Sequence, residues 1–160
     1  RFSDSFLRSN LSIALVSILM SLIMLFADIS TSKLINLNNH KYRNSFYIGF
    51  AQAFAIIPGV SRSGATISMA LLLGWNRKDA AKFSFLLSIP AISLAAFIQF
   101  MSAVSQFSTF PFLPLLVGLI TTFFSSLLAM KFLIRYISSN GLKIFVYYRL
   151  VFGILILLNL

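Results

Sequence analysis

Long apolar runs separated by short polar segments dominate the chain, and their lengths predict helices that cross a membrane. The first run extends from Leu11 to Ala27, and Ser9 or Asn10 is suited to cap its N-terminus. Later runs of similar length occupy about residues 77–101, 112–133 and 144–160. A helix needs about 20 apolar residues to span a bilayer, so the pattern predicts about four spanning helices.

The segment 46–75 departs from this pattern, because a proline and a glycine interrupt its apolar residues. The stretches from Ser45 to Ile57 and from Ala65 to Trp75 are each too short to span alone. Between them lies the dipeptide Pro58–Gly59. Irregular backbone at membrane depth is tolerated only where protein buries it or where it lines a wet cavity. We therefore predict a re-entrant helix–turn–helix hairpin.

Helix signals continue beyond this hairpin. Asn76 is suited to cap the next helix, and Asp79 lies in its first turn, where a carboxylate favours the helix dipole. Pro90 lies inside the same helix and predicts a kink. Asn140 and Gly141 predict the turn before the last span. Together, these features predict an all-α polytopic membrane protein, which forms a single membrane domain over residues 1–160.

The composition excludes a soluble domain. Of the 160 residues, 59% are hydrophobic and 10% are charged, whereas soluble domains carry about 25% charged residues. The net charge of +10 comes from basic residues that cluster in short loops, so positive-inside topology explains it better than nucleic-acid binding. Segments 29–45, 76–82 and 131–143 are basic, and segment 102–110 is uncharged. A re-entrant hairpin places the three basic segments on one side, although Arg1 and Arg8 fit this arrangement less well.

The turn from Pro58 to Thr66 combines one arginine with three hydroxyls between apolar flanks. A cation at membrane depth is costly and usually functional, and a helix N-terminus beside it favours an anion. The structural alternatives are an arginine that snorkels or pairs with a carboxylate, and a hydroxyl that bonds a local carbonyl. We predict Arg62 and Ser61 as catalytic residues. The predicted phosphate-binding set is Arg62, Ser61, Ser63, Thr66 and Gly64, and the predicted structural turn is Pro58 and Gly59.

Other polar residues receive structural interpretations. His40 lies between Asn39 and Lys41, so we expect a solvated loop residue. We interpret Asp28 as an interfacial acid and Asp79 as a first-turn charge. Because no pair of carboxylates has ligand spacing, we predict no metal ligand within this chain.

Two stretches of the chain are distinctive: Gly49 to Ile67 (GFAQAFAIIPGVSRSGATI) and Ala80 to Pro90 (AAKFSFLLSIP). Both closely resemble the undecaprenyl-diphosphate phosphatase family of the bacitracin-resistance type. The apolar layout through Leu160 is similar to the C-terminal portion of that family. The resemblance covers essentially this whole chain, but about three-fifths of a typical member.

The resemblance implies a multi-pass enzyme of the bacterial inner membrane that hydrolyses undecaprenyl diphosphate to undecaprenyl phosphate and inorganic phosphate. This reaction recycles the lipid carrier for peptidoglycan synthesis and confers bacitracin resistance. The implied fold has two inverted repeats with a re-entrant hairpin in each, and this chain holds one repeat and part of the other. Arg62 would bind the diphosphate, and Ser61, Ser63 and Thr66 would line the phosphate site. The implied partners are a polyprenyl diphosphate and membrane lipids, and a homodimer is left open.

This chain departs from the family pattern in one respect. The family's glutamate-rich signature is not matched by Asp4, Asp28 or Asp79, and His40 is not its histidine. We therefore expect a fragment that lacks an N-terminal part, with the ligands of a divalent cation (Mg²⁺ or Ca²⁺) in that part. The chain alone is then expected to be inactive. The alternatives are a polyprenyl-phosphate transporter or flippase, whose broken half-helices are similar, and an inactive fragment.

Overall fold

The computed structural model describes residues 8–30, 32, 34–104 and 112–158, and these residues are helical apart from short connections. The uncharged segment 102–110 therefore lies mostly outside the described residues, as do Arg1 and Asp4. Six α-helices follow one another in this part of the chain: α1 (Asn10–Ile29), α2 (Tyr42–Ala53), α3 (Arg62–Leu72), α4 (Arg77–Val104), α5 (Phe112–Asn140) and α6 (Lys143–Leu158). Two 3₁₀ turns join them, Leu37–Asn39 and Phe54–Ile56.

Three of these helices are long and apolar enough to cross a membrane: α1, α4 and α5. The fourth predicted span is α6, which has 16 residues among those described. At 1.5 Å per residue such a helix is about 24 Å long, shorter than the ~30 Å hydrocarbon core of a bilayer. The structure thus supports a membrane protein with three candidate spans.

Helix caps follow the sequence signals. Ser9 Oγ accepts a hydrogen bond of 3.2 Å from the backbone N of Ser12, which identifies Ser9 as the N-cap of α1. Asn76 Oδ1 accepts one of 2.8 Å from the backbone N of Asp79 at the start of α4. Both predicted caps are confirmed. Helix α4 continues through Pro90 as one element.

The segment around Pro58 and Gly59 forms a helix–turn–helix hairpin in which α2 and α3 pack against each other. The residues before α2 and after α3 are also joined. Ile35 N donates to Gly74 O at 2.9 Å, and Asn76 N donates to Ile35 O at 2.9 Å. The chain segments that flank the hairpin therefore lie side by side. Helix α3 starts at Arg62, earlier than predicted, because Ser61 caps it.

Asp28 is buried by protein at the end of α1, and it makes contacts that the sequence interpretation did not include. Helix α1 continues to Ile29, and the Asp28 side chain is 1% exposed. Its Oδ1 accepts a hydrogen bond of 2.6 Å from Arg77 Nε, and its Oδ2 accepts one of 3.1 Å from Leu142 N. These two bonds bring the end of α1, the start of α4 and the turn between α5 and α6 to one end of the molecule.

Helix α1 is central, because it packs against both α3 and α6. Its contact with α6 depends on small residues: Ala14 is fully buried, and a Cβ at Gly153 would lie 2.7 Å from Ile18 Cγ1. By contrast, α5 exposes nearly all of its apolar side chains up to Phe132. Such a surface suits lipid tails or further protein rather than water.

Candidate functional site

A cavity of about 370 Å³ lies between the hairpin turn, α1 and α6. Its volume is within the range of ~300–1,000 Å³ that is typical of small-ligand sites. Hydroxyl groups and one arginine are set in a mainly apolar wall, and the lining contains no carboxylate. The lining residues are Ile13, Ser17, Met24, Gly59, Ser61, Ser63, Gly64, Ile67, Leu133, Ile137, Leu142, Phe145, Tyr148, Arg149 and Phe152.

The hairpin turn directs its polar groups at this cavity. Ser61 is the N-cap of α3, where its Oγ accepts a hydrogen bond of 3.2 Å from Gly64 N and lies 3.5 Å from Ser63 Oγ. Ser61 has a φ of +20°, and it is the only non-glycine residue with positive φ among those described. The N–H groups of the first helical turn, at Arg62 and Ser63, have no acceptor within the helix. The turn thus offers hydroxyls, N–H groups and a positive dipole end to an anion.

Gly59 is required by both its conformation and its surroundings. Its φ is +95°, and a Cβ there would lie 2.9 Å from Ile13 O on α1. Only glycine accommodates both conditions without strain. The turn of Pro58 and Gly59 therefore seats the hairpin tip closely on α1.

Arg149 also lines the cavity, although it is not among the residues predicted from the sequence. It lies on α6, its Nη2 donates to the carbonyl oxygen of Gly59, and its Nε is buried without a hydrogen-bond partner. The signal was present in the sequence, because Arg149 is an arginine inside an apolar run, the same signal that singled out Arg62.

The predicted site residues divide into two groups in the structure. Ser61, Ser63 and Gly64 line the cavity together, but the lining does not include Arg62 or Thr66. The side chain of Arg62 is exposed at the start of α3.

Thr66 is 1% exposed and bonds within the helix pair. Its Oγ1 lies 2.6 Å from Ser84 Oγ on α4 and donates to Arg62 O at 2.9 Å. Thr66 therefore matches the structural alternative considered above, in which a hydroxyl bonds a local carbonyl instead of a phosphate.

The two other polar residues considered from the sequence, His40 and Asp79, contact neighbouring protein groups rather than the cavity. His40 is half-buried rather than solvated, because its ring packs 4.9 Å from that of Trp75 and its Nδ1 lies 2.6 Å from Leu37 O. Asp79 Oδ2 accepts hydrogen bonds from Leu37 N at 3.1 Å and from Asn76 Nδ2 at 2.9 Å. Within the described parts of the chain, no group of three His, Cys, Asp or Glu residues is placed to hold a metal ion. The described residues alone therefore do not form a binding site for a divalent cation.

The described part of the chain is thus an all-helical protein with three candidate membrane spans and a cavity, lined by hydroxyls and one arginine, beside a broken helix pair. Comparison with known families is more specific. Residues 1–155 match the family described as bacitracin resistance protein BacA, and the chain belongs to this family.

Individual relatives agree with this assignment. The chain is 85% identical, over 99% of its length, to an undecaprenyl-diphosphatase of Prochlorococcus marinus subsp. pastoris (strain CCMP1986 / NIES-2087 / MED4). It is 79% identical over 99% of its length to an undecaprenyl-diphosphatase of strain MIT 9515. A similar protein of strain MIT 9313 is 46% identical over 98% of the chain. The chain spans 60%, 60% and 52% of the lengths of these three relatives, respectively.

Proposed function

We propose that this chain is part of an undecaprenyl-diphosphate phosphatase, which converts undecaprenyl diphosphate and water to undecaprenyl phosphate and inorganic phosphate. The observation that carries the proposal is the 85% identity to a protein named undecaprenyl-diphosphatase. The cavity adds independent support, because its hydroxyl donors and arginine suit a phosphate group and its apolar wall suits a lipid. In the cell this reaction would recycle the carrier lipid for peptidoglycan synthesis and confer bacitracin resistance.

The reaction breaks the bond between the terminal phosphorus and the bridging oxygen of the diphosphate, and water supplies the new oxygen. The residues of this chain would act by binding and by stabilising charge. Ser61, Ser63 and the N–H groups of the first turn of α3 would donate to phosphate oxygens. Arg62, at the same helix start, would stabilise the negative charge of the phosphoryl group during transfer. Thr66 would hold α3 against α4 through Ser84.

We further propose that the protein is a multi-pass protein of the bacterial inner membrane, with four spans and a re-entrant hairpin over residues 46–75. The shared location of the two hairpin ends supports this topology, because a hairpin that enters and leaves on one side needs it. The diphosphate would then occupy the cavity beside Ser61 while the polyprenyl tail remains in the bilayer. Homodimerisation also stays a proposal, which the mass of the purified protein in detergent would test.

A divalent cation, Mg²⁺ or Ca²⁺, also stays a proposal. Its ligands would have to come from outside the described residues, because these gather no set of three metal-binding side chains. Its contribution would be to neutralise phosphate charge. We assign no catalytic step in this chain to it.

The direct test is phosphate release from C55 diphosphate. A suitable protein is the MED4 chimera, in which these 160 residues replace the matching segment of the Prochlorococcus marinus MED4 relative. We expect the chimera to release phosphate, to lose this activity in EDTA and to regain it with added Mg²⁺ or Ca²⁺. The 160-residue chain expressed alone should insert into membranes and release none. Transport of polyprenyl phosphate across vesicles without phosphate release would instead support the transporter alternative and refute the phosphatase.

A further inference from the structure

A pair of buried hydroxyl groups joins α4 to α3. Ser84 Oγ lies 2.6 Å from Thr66 Oγ1, and both residues are 1% exposed. Bulk water is excluded at this degree of burial, so the protein itself must supply acceptors for the two hydroxyl protons. The direction in which the protons point therefore follows from the acceptors that surround them.

These acceptors fix the direction of the pair. Thr66 Oγ1 has two backbone carbonyls within hydrogen-bond distance, Arg62 O at 2.9 Å and Ser63 O at 3.3 Å. Ser84 Oγ has Thr66 Oγ1 as its one hydrogen-bond partner among the described residues. If Thr66 donated to Ser84, the Ser84 proton would have no acceptor in that part of the chain. Ser84 therefore donates to Thr66, and Thr66 donates to the carbonyl of Arg62.

This relay of hydrogen bonds ends on a peptide group of the hairpin turn. The carbonyl of Arg62 and the N–H of Ser63 belong to the same peptide, in the first turn of α3. That N–H has no acceptor within the helix, and Ser63 lines the cavity. A hydrogen bond to the oxygen of a peptide polarises the whole group, so its N–H becomes a stronger donor. Ser84 thus acts on a cavity residue that it does not touch.

The next peptide of the turn is linked to the same hydroxyl. Thr66 Oγ1 also lies 3.3 Å from Ser63 O, whose peptide carries the N–H of Gly64. Gly64 N in turn donates to Ser61 Oγ at 3.2 Å. The relay from α4 therefore fixes two successive peptides, one with an N–H at the cavity and one that orients the Ser61 hydroxyl.

We propose that Ser84 is a positioning residue for phosphoryl transfer, which acts through Thr66 on the first peptides of α3. The identity of the reaction rests on the function proposed above. An N–H that is fixed and polarised before the reaction stabilises charge that develops in the transition state more than charge already present in the bound substrate. Ser84 therefore affects kcat rather than KM.

The first test compares kcat and KM of the MED4 chimera for C55 diphosphate in the presence of Mg²⁺. Ser84→Ala should lower kcat about 5- to 10-fold and change KM less than about threefold. Ser88→Ala is the matched control, because it removes a hydroxyl one turn further along α4 that donates to Ser84 O at 2.9 Å and not to α3. It should leave kcat unchanged. An unchanged kcat in Ser84→Ala, or an equal fall in both variants, would overturn the proposal.

Two further variants separate the hydrogen-bond donor from stability. Ser84→Thr keeps the hydroxyl but adds a methyl group at a buried position, so it should unfold more easily and still retain kcat within about twofold. Adding Ser84→Ala to Thr66→Val should not lower kcat below that of Thr66→Val alone, because the relay is already broken. A folded Ser84→Thr variant as slow as Ser84→Ala, or additive losses of kcat in the double variant, would contradict the relay.

Binding of inorganic anions, measured by calorimetry with Mg²⁺ present, tests the proposal without turnover. Orthovanadate resembles the transition state of phosphoryl transfer, and inorganic pyrophosphate resembles the bound substrate. Ser84→Ala should weaken orthovanadate binding about 5- to 10-fold and pyrophosphate binding less than about threefold.

This measurement also distinguishes the two possible failures. If the chimera shows the expected binding pattern but releases no phosphate from C55 diphosphate, the proposed function fails and the positioning of the turn by Ser84 stands. If the chimera hydrolyses the lipid and Ser84→Ala retains both kcat and orthovanadate affinity, the role of Ser84 fails and the function stands. A chimera that binds neither anion and releases no phosphate would refute both.

Discussion

Asp28 and Arg77, which lie 49 residues apart, form a hydrogen-bonded ion pair of 2.6 Å between the C-terminal turn of α1 and the first turn of α4. The second oxygen of Asp28 accepts from Leu142 N. One buried carboxylate therefore holds three separate chain segments at one end of the molecule.

Removing the charge of Asp28 should destabilise the protein. Asp28→Asn in the MED4 chimera is expected to cost about 3 kcal/mol, because Arg77 then lies beside a buried site without its counter-ion. Reversible unfolding in SDS measures this loss. The comparison variant is Asp79→Asn, which should cost about 1 kcal/mol or less, because its Lys82 partner is 3.9 Å away and exposed. The amide oxygen of asparagine can still accept the hydrogen bonds from Leu37 N and Asn76 Nδ2. Equal losses in the two variants would contradict the central role of Asp28.

The same junction makes a prediction about topology. Because the segments around Asn38, Lys78 and Asn140 are tied together through Asp79 and Asp28, they should face one side of the membrane. Single cysteines at these three positions should react with a membrane-impermeant thiol reagent from the cytoplasmic side. A cysteine at Met101, near the other end of α4, should react from the periplasmic side. This chain has no native cysteine to interfere.

Opposite labelling of Asn38 and Lys78 would show that α2 and α3 together cross the membrane. That result would refute the re-entrant hairpin. The helices that follow it, α4 to α6, would then have the opposite orientation in the membrane.

Local features were predictable from the sequence because they depend on neighbouring residues. The cap of α1 at Ser9, the cap of α4 at Asn76 and the break at Pro58 all follow from chemistry within a few positions. The start of α3 was placed too late, since the sequence showed a polar turn at Arg62 where the backbone is already helical. Short-range rules thus identified the elements but not every boundary.

Long-range features were not predictable in the same way. Asp28 follows an apolar run, so it resembles an interfacial acid until Arg77 and Leu142 are brought to it by the fold. Thr66 has the chemistry of a phosphate ligand, and only the packing of α3 on α4 directs its hydroxyl to Ser84. Arg149 could have been identified as a candidate, but its partner Gly59 is 90 residues away.

Gly59 offers a test of how closely the hairpin turn packs on α1. Gly59→Ala combines a left-handed φ of +95° with a Cβ placed 2.9 Å from Ile13 O. We expect a loss of about 2 kcal/mol in unfolding free energy. Gly49→Ala is the matched control, because a Cβ at Gly49 has no neighbour within 4 Å. In α2 that change should stabilise the protein by up to about 1 kcal/mol. A Gly59→Ala variant as stable as Gly49→Ala would show that the turn is not seated as described.

Arg62 should affect turnover rather than stability. Its side chain is exposed, so Arg62→Ala should unfold at the same SDS concentration as the unaltered chimera. If Arg62 stabilises charge on the transferring phosphoryl group, kcat should fall about 10²- to 10³-fold. Arg62→Lys should recover little of this loss, because a point charge does not replace the planar fork. Arg43→Ala removes an exposed arginine from α2 and should leave phosphate release unchanged. Near-normal kcat in Arg62→Ala would refute the catalytic assignment.

Thr66 and Ser84 provide the last prediction, which separates a structural hydroxyl from a phosphate ligand. Their oxygens lie 2.6 Å apart, and both residues are buried. Thr66→Val and Ser84→Ala should each lower the unfolding free energy by about 1 kcal/mol, the usual contribution of one hydrogen bond. The double variant should lose less than the sum of the two, because both changes remove the same bond. The KM for C55 diphosphate should change less than about threefold in Thr66→Val, since the loss of a charge-assisted hydrogen bond would cost more than this. A large rise in KM, together with additive losses of unfolding free energy in the double variant, would instead indicate that Thr66 binds the phosphate.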